Sequence, residues 1–293
     1  MNAMAETFLG TDHGPSRDRP PRTRLRAILE STLLRGVVVG WIGLLVIGPV
    51  IALLVKGLAN GPAGVWEAVL QPDARAALWL SFWTAVFAAL VNGVAGTAIA
   101  WVLVRWEVPG RAVLAALVDL PVAIPTLVAG ILLVALFGPS TALGGWLGEH
   151  DLDVAFAVPG IVLALLFVTL PFVVRAVEPV LAELDPAEEE AAKTLGAGTF
   201  LTFVRVLLPP VLPAMAAGMV QTFARCLAEF GSLAAVSGNI PYKTLVAPVW
   251  ILGEVEAGNA EGAAAVSVLL LAVALCLQPL SAALARRAGG GHG

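Results

Sequence analysis

The stretch Asp185-Pro186-Ala187-Glu188-Glu189-Glu190-Ala191-Ala192-Lys193-Thr194-Leu195-Gly196 lies between two long apolar runs and is itself too polar to cross a bilayer. Nine residues separate Gly196 from Val206, and one more separates Val206 from Leu208-Pro209. Asp185 can cap a helix begun by Pro186, and Glu188, reaching back, would complete a capping box. The acids Glu188, Glu189 and Glu190 fall at the helix start, where the backbone dipole favours negative charge. Gly196, lacking a Cβ, can take the left-handed conformation that ends a helix, so a second short helix starts near Thr199 at a steep angle to the first. The segment is therefore expected to be a compact, protruding elbow.

The rest of the chain says what the elbow protrudes from. Of 293 residues, 59% are hydrophobic and 13% charged, and the mean hydropathy of +0.90 excludes a soluble domain. Six uncharged or nearly uncharged runs are long enough to cross about 30 Å of hydrocarbon: Gly36 to Val55, Ala76 to Val104, Ala112 to Phe137 with Asp119 inside, Val154 to Val174, Val206 to Ala224, and Ala263 to Ala285. The expected fold class is an all-α polytopic membrane protein. The first run follows too long a leader for a signal peptide and reads as an anchor.

With the amino terminus inside, Arg17, Arg19, Arg22, Arg24, Arg26, Arg35, Arg105, Arg111, Arg175, Lys193, Arg205, Arg286 and Arg287 fall inside, leaving Lys56, Arg75, Arg225 and Lys243 outside. Thirteen of 17 cations inside is the positive-inside pattern, and it puts both termini and the elbow in the cytoplasm. The expected organisation is a disordered basic tail over 1–33, a first span and external loop over 34–73, a transport core over 74–285 with its elbow loop at 175–209, and a tail at 286–293. No segment outside the membrane is long enough for a domain of its own.

Several function classes drop out. A net charge of -4, thinly spread, implies no nucleic-acid partner. Cys226 and Cys276 lie in apolar runs, where a thiol is a small hydrophobe, and His13, His150 and His292 have no ligand spacing, so neither disulfide nor metal site is read. A phosphate-cradling loop needs Gly-Lys, yet Lys56, Lys193 and Lys243 follow Val55, Ala192 and Tyr242. Any ATP hydrolysis must come from another subunit. The acids of the elbow have no base or metal beside them, and no catalytic residue is assigned.

The spacing Glu190-Ala191-Ala192-x3-Gly196-x9-Val206-x-Leu208-Pro209 resembles the EAA loop of the membrane subunits of binding-protein-dependent ABC importers. Three further blocks sharpen this likeness: Asp119-Leu120-Pro121-Val122-Ala123-Ile124-Pro125-Thr126, Leu170-Pro171-Phe172-Val173-Val174-Arg175, and Ala224 to Ser232 with Ser237-Gly238-Asn239-Ile240-Pro241-Tyr242-Lys243-Thr244. Together they resemble the T-type permease of sulfate/thiosulfate importers, over roughly Leu80 to Leu280. Ala228 departs from that family, which commonly has glycine there, and bears on how the chain bends. The resemblance implies a type I importer permease fold, coupling helices seated in a dimeric cytoplasmic ATPase that binds ATP and magnesium, a second permease subunit forming a heterodimer, and an extracytoplasmic sulfate-binding protein. It also implies the inner membrane of a bacterium.

Arg225 and Glu229 are four residues apart at the outer end of the fifth run. They read either as a mutually neutralising pair or as part of an anion path, with Ser237, Asn239, Lys243 and Thr244 nearby in sequence; a transported dianion needs donors that are adequate but not tight. Pro121 and Pro125 read as a gate or as a static kink. A molybdate or tungstate importer is the alternative within the class. A self-sufficient secondary transporter is the alternative outside it, but the chain shows no self-similar halves and one acid, Asp119, within a run.

Overall fold

The computed structural model describes residues 34–106 and 109–289, so the basic tail expected over 1–33 lies outside the described residues. All regular structure among the described residues is helical. The chain divides into two compact units at Ala52/Leu53. The first holds most of helix α1 (Leu34–Gly57), whose large apolar side chains, Val39 and Leu44 among them, are exposed.

The second unit is built on α3 (Pro72–Arg105), α7 (Val158–Glu183), α9 (Thr199–Leu227) and α12 (Ala260–Gly289). Helix α3 shows why they pack. Its inner face carries Ala77, Ser81, Ala85, Ala88, Asn92, Gly96 and Ala100, all buried, while Trp79, Trp83, Phe87, Leu90 and Val94 line the outer face. Lipid is as apolar as leucine, so helices in a bilayer associate through close backbone approach and buried hydrogen bonds. Both are present. A Cβ on Gly96 would stand 2.8 Å from Val173 Cβ of α7, and one on Gly218 of α9 would stand 2.9 Å from Val173 Cα. The Asn92 amide donates to Leu166 O at 3.0 Å and to Thr169 Oγ1 at 2.9 Å.

Several expected spans change at their ends. The fourth runs on through Arg175 to Glu183, so the first part of the expected 175–209 loop is helix and the non-spanning elbow is confined to Leu184–Gly198. The sixth continues through Arg286 and Arg287 to Gly289, taking in the start of the expected tail. The fifth begins at Thr199, because the short second helix of the elbow does not stop. It passes through a π turn at Phe203–Leu207 into the rest of α9. Pro209 and Pro210 supply no backbone donors, and the wider turn accommodates this by letting the Leu208 amide reach back to Phe203 O.

The third run is the main departure. It is two helices, α4 (Arg111–Ala123) and α5 (Thr126–Phe137), bent by 111°, so the described residues hold five helices long and apolar enough to cross a membrane, and six spans with the broken pair counted as one. Ile124 is extended at φ -84°, ψ 131°, the conformation a following proline favours, and Pro125 is extended in turn. Four short helices appear where loops were expected: α2 (Gly61–Leu70), α6 (Ala142–Gly148), α10 (Gly231–Val236) and α11 (Ala247–Glu256). The elbow itself contributes α8 (Pro186–Thr194).

Candidate functional site

The elbow is built as its sequence demands, with one exception. The Asp185 carboxylate accepts the Ala187 amide at 2.9 Å, closing the start of α8. Glu188 contributes only its own amide, donated to Asp185 O at 3.1 Å, so the side-chain half of the capping box is not formed. Gly196 has φ +85°, its amide donates to Lys193 O and that of Ala197 to Ala192 O, both at 3.0 Å. This pair of bonds is a Schellman cap, which a side chain at Gly196 would strain. Glu190, Ala191 and Lys193 are exposed, as are two apolar side chains, Leu195 at 88% at the tip and Phe200 at 79% in the first turn of α9. Val206 and Leu208 are half-buried and Pro209 is exposed, all three on the stem formed by α9 rather than at the tip.

Glu189 does something its sequence position does not reveal. It faces inward, and its Oε1 meets Arg105 Nε at 2.5 Å, both side chains being nearly buried. Arg105 Nη2 also donates to Leu184 O at 2.9 Å, so one guanidinium at the end of α3 holds both sides of the turn that opens the elbow. Trp101, one turn earlier, packs on Phe203 with ring centroids 4.5 Å apart. A cleft of 330 Å³ remains between Trp106, Glu190 and Lys193 beside this clamp.

At the opposite end of α9, Arg225 Nη2 lies 2.6 Å from Glu229 Oε2. The helix has ended by then: Ala228 is its C-cap at φ -93°, ψ 0°, which alanine adopts without strain, so the missing glycine costs nothing here. Glu229 is fully buried and its Oε1 accepts both the Ser232 amide, at 3.0 Å, and the Ser232 hydroxyl, at 2.9 Å. It thereby anchors α10, which crosses α5 backbone to backbone. A Cβ on Gly130 would lie 2.4 Å from Ser232 O, and one on Gly231 2.3 Å from Thr126 Oγ1.

The polar residues that follow are occupied in making a turn. The Ser237 hydroxyl donates to Asn239 Oδ1 at 2.7 Å, the Asn239 side-chain amide donates to Ala234 O at 3.2 Å, and Thr244 Oγ1 accepts the Ile240 amide at 3.0 Å. Gly238, Asn239 and Tyr242 all have positive φ. Among the expected path donors, then, Arg225 and the exposed Lys243 remain outward-facing cations, while Ser237, Asn239 and Thr244 shape the loop.

Two of the resemblance blocks meet in space. Arg175 of α7 donates from Nε to Asp119 Oδ1 of α4 at 2.9 Å, with Nη2 2.9 Å from the same oxygen, and both side chains are about half exposed. Pro121 is buried one turn below the break, and Pro125 is exposed at it. The pair Arg105 with Glu189 and the pair Asp119 with Arg175 were not foreseen. Isolated charges at the margins of apolar runs are the signal that could have found them.

The class these features define is a polytopic helical membrane protein with a protruding, capped elbow. The family model for the inner membrane component of binding-protein-dependent transport systems matches residues 92–289, and the chain belongs to that family. It is 44% identical over 229 residues, 78% of this chain and 81% of the relative, to a probable sulfate transport system permease protein cysT of Nephroselmis olivacea. It is also 37% identical over 257 residues, 88% of this chain and 93% of the relative, to the sulfate transport system permease protein CysW of a Synechocystis strain. Its fold matches a chain of a bacterial alginate ABC transporter crystallised with an alginate pentasaccharide-bound periplasmic protein, at a TM-score of 0.70 and 20% identity, covering 91% of this chain and 96% of that one. The type I importer permease fold expected from the resemblance is the fold observed.

Proposed function

We propose that this chain is the permease subunit of an ATP-driven importer that moves sulfate, and thiosulfate with it, into the cytoplasm. The observation that carries the reading is the elbow: an exposed Glu190 on a doubly capped helix, with exposed Leu195 and Phe200 just beyond its end, clamped by Arg105 to the end of a spanning helix. Such a lever serves a chain that receives work from another subunit and has no purpose in a self-powered carrier. The substrate rests on the likeness to sulfate permeases over most of the chain and on the Ser237 to Thr244 block within it.

The partners follow from this reading. A dimeric ATPase, binding ATP and magnesium, seats the elbow; a second permease subunit, of the kind the CysW-like relative represents, completes the path; an extracytoplasmic binding protein delivers the anion. The cation asymmetry supports cytoplasmic termini and a cytoplasmic elbow. Glu190, Ala191, Ala192, Gly196, Val206, Leu208 and Pro209 form the coupling element, Arg225 and Lys243 flank the outer mouth of the path, and Pro121 with Pro125 permits the break at which α5 moves as a gate against α10.

Reconstitution of the full complex with labelled sulfate tests the reading. ATP-dependent sulfate uptake is expected, and uptake of molybdate or tungstate without sulfate would overturn the substrate. Single cysteines near Glu188 are expected to resist an impermeant thiol reagent in intact cells; labelling from outside would overturn the orientation.

A further inference from the structure

We propose that Arg175 is a binding subsite for a tetrahedral dianion, and that the Asp119 carboxylate is a place-holder that occupies the guanidinium until the anion displaces it. The inference rests on the transporter reading above and adds a site within the path that Arg225 opens.

Depth comes first. Arg175 lies eight residues before the end of α7 and Asp119 eight residues after the start of α4, each about 12 Å along its helix. Asp119 falls inside an apolar run and Arg175 directly at the end of one, where a charge meeting lipid is costly, so both face protein or water. Arg175 is nonetheless about half exposed, and it opens into a groove of 530 Å³, the size range of small-molecule sites. The groove is floored by α7 and α9 and walled by α4 and α12. Phe172, Ala217 and Ala285 make its surface apolar, while Arg175 and Gln221 are the donors that face it. Gln221, one helical turn from Arg225 along α9, shares the groove with Arg175, so the groove's donors lie a turn away from the Arg225 end of that helix. Glu183, two turns beyond Arg175 on the groove wall, puts a like charge at the inner end, which disfavours retention of an anion there.

The geometry of the ion pair supplies the exchange. Both Arg175 contacts, Nε and Nη2, go to the single oxygen Oδ1 of Asp119. That edge of a guanidinium is matched to two oxygens at once, as a tetrahedral oxyanion presents them. A ligand using one oxygen where two fit is one that a dianion can replace. Asp119 sits on the arm that precedes the 111° break, so its displacement removes a charged tie between α4 and α7 while their apolar packing stays, and occupancy of the subsite becomes a change in what holds the broken span. The carboxylate also keeps the anion from binding too tightly to leave.

The test uses the complete complex in nanodiscs, with labelled sulfate and without the external binding protein. Asp119→Asn keeps the shape and frees the guanidinium, and is expected to bind sulfate about tenfold more tightly per assembled complex, a change of one decade in affinity. Adding Arg175→Gln is expected to erase that gain, and Arg175→Lys to retain part of it, because an ammonium keeps the charge but loses the fork. In proteoliposomes with the binding protein, Arg175→Gln is expected to lower sulfate moved per ATP hydrolysed. Unchanged sulfate binding in Asp119→Asn overturns the subsite, as does full uptake by the Asp119→Ala, Arg175→Ala double variant, the behaviour of a pair that only braces the fold. Should Arg175→Gln fail to assemble, Asp119→Asn decides alone. An unmodified complex that imports no sulfate sinks the transporter reading, whereas normal sulfate import with indifferent variants sinks this subsite only.

Discussion

Two proline sites in this molecule behave in opposite ways. At Pro209, Pro210 and Pro213 the chain stays one helix from Thr199 to Leu227, with Leu208 helical at φ -63°, ψ -43° although a proline follows it. At Pro121 and Pro125 the helix breaks by 111°. Each site loses backbone donors, so missing donors cannot be the difference. What differs is the surroundings. Around Pro209 the π turn absorbs the defect and α9 is packed by α3, α7 and α12 along its length. At Pro125, α10 crosses directly over the first turn of α5, with Gly231 against Thr126 and Gly130 against Ser232, a contact that a straight third helix would not make. Proline permits a break, and packing decides whether one occurs.

That contrast can be broken most severely at the crossing. Gly130→Val puts a side chain onto Ser232 backbone and should cost about 3 kcal/mol, the upper end for overpacking, because backbone there has little room to relax. Loss of transport with little folded subunit, read by size-exclusion and uptake, is expected; a well-folded, active variant would mean the crossing does not hold the break. Next is the clamp. Glu189→Gln leaves the Arg105 guanidinium nearly buried without its counter-charge and should cost about 3 kcal/mol locally, loosening the elbow. Faster proteolysis between Leu184 and Gly198, with insertion intact, checks it.

A smaller effect is expected at Gly196. No atom lies within 4 Å of a Cβ built there, so Gly196→Val pays only the left-handed strain of about 1–2 kcal/mol. Association with the ATPase should fall on co-purification while membrane insertion is unchanged; undiminished complex would remove the elbow from coupling. Smallest is Pro209→Ala. It restores a donor in an already continuous helix and should change stability by less than about 1 kcal/mol, whereas Pro125→Ala, if packing governs, should also leave the 111° bend in place. Straightening of α4 and α5 in Pro125→Ala would return the decision to the proline.

The same division runs through the candidate sites. Asp185, Pro186 and Gly196 were legible because caps act within a few residues, whereas the second apolar run, Ala76 to Val104, was legible as a run and its small-residue face was not. The elbow family resemblance was legible for the same reason: its spacing is contained in one segment. The contact of Asp119 with Arg175 spans 56 residues and that of Arg105 with Leu184 spans 79, and no local rule couples residues so far apart. Ser237, Asn239 and Thr244 looked like free donors because composition shows hydroxyls and amides but not their partners; the turn they build uses them. Glu188 was expected to close the capping box and Glu189 only to answer the helix dipole, yet the outcome depended on which carboxylate faced Arg105.

By itself, then, the sequence determined the solvent this chain folds in, the six apolar runs and the capped elbow between the fourth and fifth, because hydrophobicity, periodicity and capping are properties of neighbouring residues. Tertiary structure alone decided that the third run breaks, that the fifth does not, and which charges meet. Those outcomes depend on backbone approach and ion pairing between distant helices, where the same residue has a different energy according to what lies across from it.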